Sequence, residues 1–196
     1  GMSLESHELG SDLTPLGIHQ SKELAEKLKD IHFDKIFSSD MRRAHKTAEF
    51  VAQSKGMTVE DSILLRERTR GKIIGDMETK LGRFSGNIFD DMERMSDSEN
   101  AELKAKYGIE LRNDAEKRIA TFLIGTARKY PGQTILATTH GAILCGLLVQ
   151  LGFADHKDLI SGTIANTAYI VVEVKGDIIS IKETHGIVKR KEEGHE

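Results

Sequence analysis

The chain has one cysteine in 196 residues, no long apolar run and no excess of charge of either sign. A single thiol, Cys145, excludes an internal disulfide and suits a reducing, cytoplasmic compartment. It stands in the apolar stretch Ile143-Leu144-Cys145-Gly146-Leu147-Leu148 and reads as a packed thiol. No hydrophobic segment approaches the roughly 20 residues of a membrane span, and no signal peptide is visible. Neither a Gly-x-Gly-x-x-Gly fingerprint nor a Walker loop occurs, so a doubly wound nucleotide-binding domain lacks support. The formal net charge of −3 decides neither for nor against nucleic acid or a membrane. With nothing else pointing to them, neither is expected as a partner, and an acidic substrate would need a local basic pocket. Repeats and low-complexity linkers are also missing. The length fits one domain, or one with a small insertion, and is enough to bury a core.

What is present alternates strand and helix patterns. Thr14-Pro15 opens a helix carrying Leu16, Leu24, Ala25 and Leu28, with Thr14 as N-cap and Pro15 as first helical residue. Phe33 to Ser39 reads as a short strand. A helix follows from about Met41 to Lys55, with Ala44, Ala48, Val51 and Ala52 on one face and Gly56 ending it. Ile63-Leu64-Leu65 reads as strand or loop. Residues of about 76–107 are rich in Met, Asp, Glu and Lys and read as a helical insertion or lid. A helix from about Asn113 to Lys129 leads into a strand that ends at His140. Thr167–Val174 and Ile178–Lys182 flank Gly176-Asp177, a hairpin signal. This order predicts an α/β fold with a mainly parallel sheet, helices on both faces and an antiparallel edge.

Three blocks can carry chemistry. Gln133 to Thr139 reads as a buried strand, His140 ends it, and Gly141 opens an apolar helix. Ligands bind at the carboxyl ends of strands in such folds, and a helix N-terminus there suits phosphate; a lone histidine in this place can equally be structural. The second block is Ser38-Ser39-Asp40-Met41-Arg42-Arg43-Ala44-His45-Lys46-Thr47-Ala48. It sets Arg43 in a first helical turn near a strand end, where a guanidinium can clamp phosphate or simply belong to a solvated basic face with Arg42 and Lys46. The third block runs from Leu65 to Gly75 and places Glu67 among Arg66, Arg68 and Arg70. It reads as a general acid on a positioned loop or as a surface charge cluster.

Taken together and in this order, these blocks resemble the histidine phosphatase superfamily in its phosphoglycerate mutase-like branch. The resemblance rests on Asp12-Leu13-Thr14-Pro15-Leu16-Gly17, on Phe33-Asp34 through Thr47-Ala48, and on Leu65-Arg66-Glu67-Arg68 with Gly71 and Gly75. Thr139-His140-Gly141 and Asn166-Thr167-Ala168 complete it. It implies a three-layer α/β/α sandwich forming a single domain over 1–196, with the insertion or lid at about 76–110. It also implies a phosphomonoester hydrolase working through a phosphohistidine, without metal or cofactor, on a small phosphorylated substrate or free phosphate. A phosphatase is favoured over a glycolytic mutase because the segment between Glu67 and the helix near Asn113 is short. The residues carried over are Arg43 as phosphate clamp, Glu67 as general acid and His140 as stabiliser of the transferring phosphoryl. Gly141, Ser3 and Arg68 follow as substrate contacts.

One part of the family pattern is missing. The family opens with a central strand ending in Arg-His-Gly, whose histidine is the nucleophile. Here Gly1-Met2-Ser3 fits only the tail of that motif, with Gly1 read as a tag residue. The expectation is that the natural frame extends upstream through Arg and His, and that the chain as written is inactive. His7, only a few residues before the Asp12–Thr14 turn, reads as a loop histidine rather than a displaced nucleophile. Without the first central strand, the sheet must leave a gap, recruit another segment or pair with a second copy as a homodimer. The alternative function is a non-catalytic phosphate-binding or interaction protein on the same fold. His19 and His45 are expected on helix surfaces, and His185 after the last strand.

Overall fold

In the computed structural model the described residues are 10–69, 92, 95–159 and 162–190. Helix α1 spans Pro15–Lys27. It starts where expected because the Thr14 side chain accepts the Gly17 N–H at 3.1 Å, satisfying one of the orphan donors of the first turn. Strand β1 is Lys35–Ser38. Helix α2, Arg42–Lys55, ends at Gly56 with φ 63, a left-handed cap that glycine adopts without a Cβ clash. Strand β2, Val59–Asp61, is followed by a 3₁₀ turn at Ile63–Leu65. Helix α3 is Asp97–Tyr107 and α4 is Arg112–Lys129. Strand β3, Ile135–Thr138, passes through His140 as N-cap into α5, Gly141–Gln150. Strands β4, Ile164–Lys175, and β5, Ile178–Ile187, form the closing hairpin.

The parallel strands run in the order β2-β1-β3, with Ile36 opposite Val59 and Leu136. Successive side chains of β1 point to opposite faces. Ile36, 1% exposed, packs with Leu24 and Ala25 of α1 and with Ala48, Val51 and Ala52 of α2. Phe37 meets Phe122 of α4 edge-on at 5.6 Å between ring centroids on the other face. Helices therefore cover both faces of a parallel sheet, as the alternating pattern predicts. Burying one such aliphatic side chain stabilises by about 1.5–3 kcal/mol. The α5 residues Cys145 and Leu148 pack against Ile164 and Ile170 of β4 and Ile181 and Ile187 of β5. Cys145 is buried there.

The hairpin is an antiparallel pair of its own. Among the described residues β3 pairs only with β1, and no strand joins it to β4. Two strand readings need correction. Residues 59–61 form β2, which a short polar stretch did not announce. Strand β5 runs on to Ile187, so His185 lies within it, stacked on Tyr169 at 4.3 Å, not after it. The polar run Glu183-Thr184-His185-Gly186 hid that extension. Strand β4 starts at Ile164 and carries a register shift before Tyr169, where Thr167 takes φ 58. For a β-branched residue this is a strained conformation.

The chain divides into two compact units. Arg68–Ala115 forms one and the remainder of the chain the other. In the smaller unit Met92 and Ile109 are the buried centre, with Met95, Leu103, Tyr107 and Leu111 packed against them. Most of the segment read as an insertion or lid, including 76–91, lies outside the described residues.

Candidate phosphate-binding site

Strands β1 and β3 end side by side, and the residues just beyond them converge. The Ser39 N–H donates to the Thr138 carbonyl at 2.9 Å. Thr138 Oγ1 donates to Ser38 Oγ at 2.7 Å, and Ser38 Oγ donates to the Ser39 carbonyl at 2.8 Å. Ser38 and Ser39 are fully buried, so this hydroxyl chain satisfies polar groups that would otherwise be costly to bury. It fixes the loop that carries Ser39, Asp40 and the start of α2.

His140 follows β3 and caps α5. Its ring is buried, 6% exposed for the residue, and Nε2 lies 2.9 Å from Ser39 Oγ. Its pKa is pushed down from 6.5 to about 3. Burial is the largest cause, the Arg43 and Arg118 cations add to it, and Asp40 opposes it. His140 is therefore a neutral imidazole at physiological pH. Beside it, Arg43 is half-buried in the first turn of α2. Among the described residues nothing hydrogen-bonds or ion-pairs with its guanidinium. A Cβ added to Gly10 would sit 3.0 Å from Arg43 Nη1, so the backbone at Gly10 closes against that guanidinium. Gly141 begins α5 with open space around it.

The loop carrying Glu67 is tied in from three sides. Arg118 of α4 donates from Nη1 to the Leu64 and Arg66 carbonyls at 2.7 and 2.9 Å. Thr139 Oγ1 donates to the Leu65 carbonyl at 2.9 Å. Arg66 makes a two-point pair with Asp40, Nε to Oδ1 at 2.7 Å and Nη2 to Oδ2 at 2.6 Å, the fork geometry that suits arginine and carboxylate. The Arg66 bond is the main cause that holds the Asp40 carboxyl below its ordinary value. Glu67 itself accepts the Ala142 N–H at 3.4 Å, which sets its carboxylate at the N-terminal end of α5, where a negative charge is favoured.

Arg43, Glu67, His140 and Gly141 are thus carried by neighbouring elements of one unit. Arg68 belongs to the other unit, where it is buried and donates Nε to the Glu110 carbonyl at 2.8 Å. Ser3 and His7 lie outside the described residues. His45 holds Asp61 at 2.6 Å, and His19 faces Glu23 at 3.5 Å. Sequence reading gave no role to Ser39, Asp40, Arg66, Thr139 or Arg118. Arg118 carried a usable signal, since it is a charged residue one position before Ile119 in the buried stripe of Ala115, Ile119 and Phe122. Among the described residues no group of His, Cys, Asp and Glu could hold a metal ion, and no helix is long and apolar enough to cross a membrane.

A half-buried arginine without a partner among the described residues, a neutral histidine and a helix N-terminus meet at the carboxyl ends of parallel strands, the place where α/β folds bind ligands. The chain belongs to the histidine phosphatase superfamily (branch 1), whose family model matches residues 4–185. It is 24% identical over 172 residues to a protein of Bacillus subtilis called uncharacterized phosphatase PhoE, with 87% of this chain and 80% of that one covered. It is 30% identical over 151 residues to putative phosphoserine phosphatase 2 of Hydrogenobacter thermophilus, with 75% and 71% covered. A phosphoglycerate mutase from Bacillus anthracis str. Sterne has the same fold, with TM-score 0.67, 24% identity and coverage of 90% and 82%. The fold is accordingly phosphoglycerate mutase-like, and the family-level activity is that of a phosphatase or mutase.

Proposed function

We propose that this fold is the body of a phosphomonoester hydrolase of the phosphohistidine type. The observation that carries the reading is the Arg43 guanidinium, half-buried beside a neutral His140 and without a partner among the described residues. A half-buried cation left so is a ready counter-charge for an anion. Arg43 clamps the phosphoryl oxygens, and the Gly141 N–H and His140 donate to them. In a chain that carries the family's Arg-His-Gly motif, its histidine would attack phosphorus in line, forming a P–N bond as the ester P–O bond breaks. Glu67 gives its proton to the departing oxygen. Water then gives a proton to the Glu67 carboxylate and attacks phosphorus, the P–N bond breaks, and inorganic phosphate leaves with Glu67 again protonated. The family resemblance alone suggests Ser3 and Arg68 as further substrate contacts.

No described histidine other than His140 stands at this site. With no Arg-His pair anywhere in the sequence, on this reading the 196 residues alone are expected to give no turnover. The test is an assay on a panel of phosphomonoesters, comparing this chain with one carrying Arg-His directly before Gly1. Turnover only in the second supports the reading. Phosphate binding without turnover in either favours a non-catalytic binding protein. Turnover in the first, lost on His7→Ala or His140→Ala, would mean that the nucleophile lies within these residues and would overturn the assignment.

A further inference from the structure

We propose that Ser39 is a positioning residue that holds His140 in its Nδ1–H tautomer, so that this N–H is the one presented to the phosphoryl group. The inference rests on the phosphate-site reading above and adds a residue to which that reading gives no part.

A hydroxyl carries one proton and two lone pairs. Ser39 is fully buried, and two groups reach its Oγ. The Met41 N–H donates to it at 3.2 Å, and His140 Nε2 stands 2.9 Å away. An amide N–H can only donate, so the Ser39 proton cannot go to Met41. Among the described residues no other acceptor lies within hydrogen-bond reach of Oγ. If Nε2 carried the ring proton and donated to Ser39, the buried hydroxyl proton would be left without an acceptor, which is the expensive arrangement. If Ser39 instead donates to Nε2, every group around Oγ is satisfied. The ring proton of the neutral imidazole then sits on Nδ1.

The free nitrogen points to the same answer. Among the described residues nothing hydrogen-bonds to His140 Nδ1, so it is the ring nitrogen left for a ligand. A neutral imidazole stabilises a phosphoryl oxygen only through an N–H; a lone pair at Nδ1 would repel it. The Ser39 loop has little room to rearrange, because its N–H and carbonyl are held by Thr138 and Ser38 at 2.9 and 2.8 Å. Ser39 thus acts through His140 and does not touch the substrate.

Long-range 1H–15N spectra of the full chain with 15N-labelled histidine read the tautomer directly, with His140→Gln identifying the signal. The expected result at neutral pH is a pyrrole-type shift at Nδ1 and a pyridine-type shift at Nε2. Titration with inorganic phosphate moves and saturates the Nδ1–H signal. Ser39→Ala shifts the ring toward the Nε2–H form and weakens phosphate binding by about tenfold, and Ser39→Thr, which keeps the hydroxyl, restores the Nδ1–H signature. A wild-type ring with its proton on Nε2, or an unchanged tautomer in Ser39→Ala, overturns the proposal. An Nδ1–H ring in a protein that ignores phosphate would leave the tautomer assignment standing and remove its phosphate-presenting half along with the phosphate-site reading.

Discussion

Acidification should destabilise this protein through His140 in a measurable way. The ring titrates near 6.5 in the unfolded chain and is pushed down to about 3 in the fold. Between those values the unfolded state binds a proton that the native state refuses. The contribution is therefore fully present above pH 6.5 and is lost as pH falls through the window toward 3. Each pH unit inside the window costs about 1.4 kcal/mol. From pH 7 to pH 5 the loss is about 2 kcal/mol, because the first half unit lies above the unfolded value. Carboxylates and the other histidines also titrate, so the comparison is with His140→Gln, which retains them and removes this proton. Urea unfolding of both proteins at pH 7 and pH 5 gives the four stabilities. The difference between wild type and variant should shrink by about 2 kcal/mol at the lower pH. A difference independent of pH would mean that the ring is not held neutral, and the argument from burial beside Arg43 and Arg118 would fail.

Arg118→Ala should cost about 1–3 kcal/mol in urea unfolding, because it strands the Leu64 and Arg66 carbonyls; no loss would deny its role in tying down the Glu67 loop. Asp40→Asn should cost only about 1 kcal/mol, since the Arg66 side chain is 39% exposed and the pair is screened. The wild-type contribution of Asp40, whose native pKa is lowered from 3.8, is present above that value and disappears as pH falls below it, so the variant's deficit should vanish in strong acid. Gly10→Ala should weaken phosphate binding several-fold by calorimetry. The new methyl presses on Arg43 Nη1 from 3.0 Å, in a backbone at φ +73 that disfavours a side chain; unchanged affinity would separate Gly10 from the site.

The legible parts of the fold were those with strong local chemistry. The Thr14-Pro15 cap, the Gly56 stop and the passage from apolar strand through His140 into an apolar helix all fall where the pattern puts them. Strand β2 and the far half of β5 escaped because their residues are polar and half-exposed, so what makes them strands is ladder pairing with β1 and β4 rather than their own pattern. At the candidate site, residue type and place left Arg43, Glu67 and His140 open to structural or surface readings, and the family resemblance of their blocks singled them out. The groups that hold them could not. Ser39 lies 101 residues from His140, and Arg118 lies 54 from Leu64. Such contacts arise only when the strand ends and α4 come together, and spacing along the chain carries no trace of them.

The central claim is that Arg43 and His140 form a phosphate site. Calorimetric titration of the 196-residue chain with inorganic phosphate, beside Arg43→Ala, tests it most directly, since it needs neither the nucleophile nor a known substrate. The account predicts saturable binding at one site, abolished or weakened at least tenfold (about 1.4 kcal/mol) in the variant. No binding to a folded wild type, or equal binding by Arg43→Ala, would contradict it.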